Sequence, residues 1–105
     1  MGYRSTIILG IPPKQKGEFD KIQKKHGEYF KLAKEHKDML IYEGDYLKWY
    51  DDFEDVKETT KLIEQEFEKD QESCFIVGIG EDGVIHSELG QYYDFVGIYT
   101  THEIY

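Results

Sequence analysis

The stretch Ser73-Cys74-Phe75-Ile76-Val77-Gly78-Ile79-Gly80-Glu81-Asp82-Gly83-Val84-Ile85-His86-Ser87-Glu88-Leu89 decides the fold. Phe75, Val77 and Ile79 alternate with Cys74, Ile76 and Gly78, a period of two that predicts a strand over Ser73–Glu81. Asp82-Gly83 supplies the residue pair that a type I′ turn takes at positive φ, and Val84–Glu88 returns as the partner strand. Two strands alone are marginal in water, so the rest of the chain has to cover this hairpin. The segment Gly78-Ile79-Gly80-Glu81-Asp82-Gly83 also matches the glycine pattern of dinucleotide-binding loops. That pattern works because a helix N-terminus follows it and receives the diphosphate. Here a strand follows, and two carboxylates stand where the anion would lie. The match is a hairpin turn, and no cofactor is expected.

Working towards the N-terminus, Phe53, Val56, Thr60, Ile63 and Phe67 form an apolar stripe that predicts a helix to about Lys69. Asp52 is its expected N-cap, with Glu54 and Asp55 in the first turn, where the helix dipole favours negative charge. Met39–Glu43 and Tyr46–Asp51 read as a second hairpin about Glu43-Gly44-Asp45. Phe19, Ile22, His26, Tyr29, Phe30 and Ala33 predict a helix from about Lys14 to Glu35, with Gly27 as a point where it could end at His26 and restart. Tyr3–Ile11 is the opening strand, stopped by Pro12-Pro13. A last strand is expected over Phe95–Ile104.

This order predicts an α+β chain, a ferredoxin-like βαββαβ sandwich in one domain over residues 1–105. Its antiparallel sheet would carry two helices on one face, the first strand lying centrally, and a C-terminal β-hairpin or strand pair would extend it past the fourth strand. A chain of 105 residues buries one core. It contains neither an apolar run long enough to span a bilayer nor a leader pattern, so a cytoplasmic protein without membrane association is expected. Cys74, the single cysteine, rules out an internal disulfide and reads as an inert buried thiol.

A net charge of −9 opposes general binding to nucleic acid, which requires phosphate neutralisation. The charge is also divided. Lys14–Lys37 holds eight lysines against four carboxylates, whereas Asp51–Glu72 holds ten carboxylates against three lysines. Three sites follow from the pattern. Tyr46, Lys48 and Tyr50 point away from Leu47 and Trp49, near Arg4 and Ile8, on a sheet face expected to be open. Such aromatics resemble an RNA-stacking platform, but the glycine-flanked aromatic run of that platform is absent and the overall charge opposes it, so cross-strand cover or protein contacts are expected instead. Glu54, Asp55, Glu58 and Glu64 belong to an acidic helix that either keeps the surface solvated or imitates a phosphate array for a basic partner. His86 and Glu88, two apart in one strand, with His102 on the last strand, are the candidate catalytic or metal set; against them stands the plain reading of exposed strand histidines.

The expected function is a small acidic, non-enzymatic protein-binding module that docks its carboxylates onto a basic, nucleic-acid-handling partner as an inhibitor or regulator. A small-molecule sensor domain is the alternative, with a His86/Glu88 enzyme behind it. The expected partner is a protein with a basic surface. Sheet extension through the C-terminal edge strand would give a homodimer.

Overall fold

In the computed structural model, residues 4–50, 52–90, 92, 96–98 and 102–104 are described. The strands are β1 (Ser5–Ile11), β2 (Lys31–Glu35), β3 (Leu40–Leu47), β4 (Phe75–Gly80), β5 (Ile85–Leu89), β6 (Val96–Ile98) and β7 (His102–Ile104). The helices are α1 (Lys16–His26) and α2 (Glu54–Lys69), the former preceded by a single 3-10 turn at Pro13–Gln15. The class is α+β, with an antiparallel five-stranded sheet in the order β2-β3-β1-β4-β5 and two helices. β5 widens the sheet past β4, as expected. β6 and β7 instead pair with each other as a separate ribbon, so the single strand expected over Phe95–Ile104 is a hairpin of two short strands. Residues 95 and 99–101 lie outside the described residues.

β1 is apolar at consecutive positions because both of its faces are covered. Ile7, Leu9 and Ile11 join Phe19 of α1, Ile63 of α2, Leu40, Tyr42 and Ile76 in one core. Ile8 lies in a second core with Met39, Ile41, Phe75, Val77 and Val96, flanked by Tyr92 and Ile104. Ile7, Ile8 and Leu9 are fully buried, each contributing roughly 1.5–3 kcal/mol. The sheet face expected to lie open beside Ile8 is therefore closed by residues of the C-terminal ribbon.

The β4–β5 hairpin forms where the alternation places it, with a different turn. Gly83 N–H donates to the Gly80 carbonyl at 2.9 Å, and Gly80 N–H to the Val84 carbonyl at 2.8 Å. Gly83 has φ +82, while Asp82 is not at positive φ. A three-residue loop closed by a left-handed glycine thus replaces the two-residue type I′ turn. The Asp82 side chain holds the loop by accepting the Val84 N–H at 3.1 Å.

The first helix departs most from expectation. It stops at His26, and Gly27, at φ +124, takes a backbone conformation that other residues rarely adopt. No second helix restarts. Phe30 turns inward onto Phe19, their ring centroids 5.5 Å apart, and Lys31–Glu35 becomes an edge strand beside β3. β3 in turn continues through Gly44, which pairs with Ile7, and reaches Leu47 after a register shift, so Glu43-Gly44-Asp45 is strand and not a hairpin turn. The returning strand expected over Tyr46–Asp51 is absent: β3 ends at Leu47, and Asp51 lies outside the described residues. Phe53, not Asp52, occupies the N-cap of α2, its N–H donating to the Tyr50 carbonyl at 3.0 Å.

A candidate recognition groove at the start of the acidic helix

The end of β3, the loop after α1 and the first turn of α2 meet around a groove of about 340 Å³. Gly27 ends α1 early and so delivers Tyr29 and Phe30 to it; the chain leaving β3 delivers Tyr46, Lys48 and Trp49; Phe53 and Asp55 come from the start of α2. Arg4 and Asp45 complete the rim. Tyr29, Tyr46 and Phe53 are 54%, 68% and 39% exposed, so three of the groove's rings stand substantially in water. Trp49 and Phe30 form the inner wall, edge to face at 5.9 Å.

Tyr46 carries a second mark. Among the described residues it is the one non-glycine at positive φ, +55, a conformation that costs a side chain roughly 1–2 kcal/mol. The Arg4 guanidinium lies 5.0 Å from its ring centroid, a cation–π contact. Of the predicted residues, Tyr46, Lys48 and Asp55 line this groove, and Tyr50 supports it by packing edge to face on Phe53 at 5.3 Å. Arg4 is brought to Tyr46 as its position in the sequence suggested. Phe53 and Tyr29, expected on the apolar stripes of the two helices, and Trp49, expected beside Leu47 on the covered side of a strand, join them there. The Gly27 break was the signal that Tyr29 leaves the helix.

The acidic helix does not present its charges uniformly. Glu58 binds Lys25 Nζ at 3.0 Å and also the His26 imidazole, tying α2 to α1. These two hydrogen bonds hold its carboxyl below the usual range. Glu66 is 1% exposed, accepts a hydrogen bond from the Gln15 amide at 2.7 Å and lies 3.1 Å from Lys14 Nζ. Burial pushes its carboxyl up, but Gln15 and Lys14 outweigh burial and leave it lowered. Glu54 and Glu64 are exposed, Glu54 standing 3.7 Å from Lys57.

His86 and Glu88 do not converge. Gly78 pairs with Ser87 and Ile79 with Ile85, so His86 is the extra residue of a β-bulge. Its ring bonds the Ser5 hydroxyl at 2.8 Å across Gly78, on the side of Ile7. Glu88, opposite Val77, instead accepts the Tyr92 hydroxyl at 3.2 Å. His102 pairs with Ile98 in the separate ribbon, and its side chain lies outside what is described. The Ser5–His86 pair resembles a nucleophile and its base, but Ser5 is 3% exposed and closed to a substrate. Among the described residues no group of three His, Cys, Asp or Glu side chains is placed to hold a metal ion. Cys74 immediately precedes β4, buried, its thiol donating to the Ile63 carbonyl at 3.4 Å. Also among the described residues, no helix is long and apolar enough to cross a membrane. Compared with known proteins, the chain matches no family model, no curated protein and no solved structure.

Proposed function

We propose that the chain is a non-enzymatic, cytoplasmic protein-binding module on a ferredoxin-like sandwich, docking an acidic and aromatic surface onto a basic partner. The strand order β2-β3-β1-β4 supports the fold assignment, as does the sharing of one core by Phe19 of α1 and Ile63 of α2. The observation that carries the functional reading is the meeting of exposed Tyr29, Tyr46 and Phe53 with the acidic first turn of α2. Tyrosine anchors give contact area at low entropic cost, and surrounding carboxylates steer a cationic partner and fix its orientation. Glu58, engaged with α1, and Glu66, engaged with the 3-10 turn before it, contribute to the stability of the module and not to its docking surface. An inhibitor of a nucleic-acid-handling protein is the sharp form of this reading.

The test is capture from cell extract with the wild-type chain and a Glu54→Lys/Glu64→Lys variant. Loss of a discrete captured protein on charge reversal supports the reading; an unchanged captured set sinks the charge mechanism. A small-molecule sensor is the second reading, favoured by a groove volume within the range of small-ligand sites. Thermal-shift screening separates it, since a ligand at 100 times its Kd adds about 2.7 kcal/mol.

A further inference from the structure

We infer that the groove is a site for a free aromatic α-amino acid, bound as its zwitterion. This rests on the small-ligand reading of the groove, the second one above, and names its ligand class. Two cations, Arg4 and Lys48, and two carboxylates, Asp45 and Asp55, line the groove. Among the described residues none of the four is paired with an opposite charge, whereas lysines and carboxylates of the helices do pair, at Lys14–Glu66, Lys16–Asp20 and Lys25–Glu58. Asp45 accepts the Thr6 hydroxyl at 2.6 Å and Asp55 the Val56 N–H at 2.9 Å, each through Oδ1, which leaves both Oδ2 atoms open to a ligand. Arg4 lies 5.0 Å from the Tyr46 ring centroid. A guanidinium held against a ring keeps its in-plane N–H groups for an anion, so this contact positions a donor and does not close the groove.

Charges that balance without pairing select the ligand. A lone ammonium would meet Arg4 and Lys48, and a lone carboxylate would meet Asp45 and Asp55 in a chain of net charge −9. A molecule bearing one of each is neutral overall and offers a counter-charge to both sets. The rest of the lining is mostly aromatic: Phe30 and Trp49 stand edge to face at 5.9 Å, with Tyr29 and Phe53 exposed beside them. A ring entering there gains edge and face contacts and removes apolar area from water on both sides. The volume of about 340 Å³ lies at the lower end of the range for small-ligand sites, which suits a molecule the size of one amino acid.

Trp49 is the sole tryptophan and lines the groove, so its fluorescence reports occupancy in the full chain. L-Phenylalanine is the probe, since it does not absorb where tryptophan is excited. 2-Phenylethylamine keeps the ring and the ammonium, 3-phenylpropanoate the ring and the carboxylate, and L-alanine both charges without the ring. N-acetylphenylalanine amide keeps the ring alone, as a partner protein would present it. A saturable change with L-phenylalanine is expected, with each of the four analogues bound about tenfold more weakly or worse. Lys48→Gln should narrow the advantage over 2-phenylethylamine, and Asp55→Asn the advantage over 3-phenylpropanoate, each about threefold; circular dichroism verifies the fold of both. A loss spread equally over all probes would mark a merely structural effect and overturn the inference. Equal binding of the neutral amide or of a singly charged analogue, or no saturable response to L-phenylalanine, would overturn it as well. If thermal-shift screening yields another ligand that moves Trp49 fluorescence while L-phenylalanine does not, the small-ligand reading stands and this inference alone falls.

Discussion

The two ends of α2 carry the same kind of residue and use it in opposite ways. At the C-terminal end, Glu66 borders a cleft of about 800 Å³ shared with Pro12, His36 and Ser73, yet its carboxylate is buried and bound by Gln15 and Lys14. At the N-terminal end, Glu54 stands exposed and Asp55 only partly covered, beside aromatic rings that are themselves half in water. A run of like charges is therefore not one device. Where a carboxylate falls on the side facing α1 or the 3-10 turn before it, it is neutralised and becomes structural; where it falls outside that side, its field extends into solvent and can act on another molecule.

Substitutions along α2 sharpen this contrast. The inward stripe sets the upper limit: Ile63→Ala, fully buried in the core it shares with Phe19, is expected to cost about 2–5 kcal/mol in urea unfolding. Glu66→Ala removes the acceptor of the Gln15 amide and leaves Lys14, which is largely exposed and stays hydrated; about 2 kcal/mol is expected from the lost charged hydrogen bond. A loss as small as that of Glu64→Ala would break the comparison.

Acid should reveal the same division. Glu58 and Glu66 are lowered in the folded chain from the ordinary value of 4.5, so near pH 4 the unfolded chain binds more protons than the folded one. Their contribution is present above about pH 4.5 and is lost as pH falls through the lowered folded values. Unfolding midpoints measured from pH 6 to pH 3 should fall, and the double variant Glu58→Gln/Glu66→Gln should flatten that fall. At the other end, Glu54→Lys/Glu64→Lys costs only about 1 kcal/mol, through the dipole and the Lys57 contact at Glu54, while slowing association with a basic partner about tenfold at low salt. The smallest effect concerns Cys74. Burial pushes its thiol up to about 11, and labelling by a thiol reagent at pH 8 should be negligible in the native chain and complete in urea.

Residues 73–89 were legible because each local signal agreed: alternation, a turn pair and β-branched side chains all pointed to a hairpin. Residues 27–47 were not, because their signals conflict. All five residues of β2 are exposed, so Lys31–Glu35 shows no alternation, and lysine, alanine and glutamate favour helix. Tyr29, Phe30 and Ala33 happen to continue the spacing of the α1 stripe, and only Gly27 spoke against it. The second core was present in the sequence as unbroken apolar runs, Ile7-Ile8-Leu9 and Cys74-Phe75-Ile76-Val77, the mark of strands covered on both faces. Of the groove, Tyr46, Lys48 and Asp55 could be named individually. Their convergence with Tyr29 and Phe53 depended on where α1 stopped, a tertiary outcome that no local pattern reports.

The backbone at Tyr46 has one more consequence. Glycine would adopt φ +55 without strain, so Tyr46→Gly relaxes the folded chain at that point while stripping the groove of its most exposed ring. What glycine would gain in backbone ease it would lose in the Arg4 contact and in the greater freedom of the unfolded chain, so the ring can persist at a position whose backbone disfavours it.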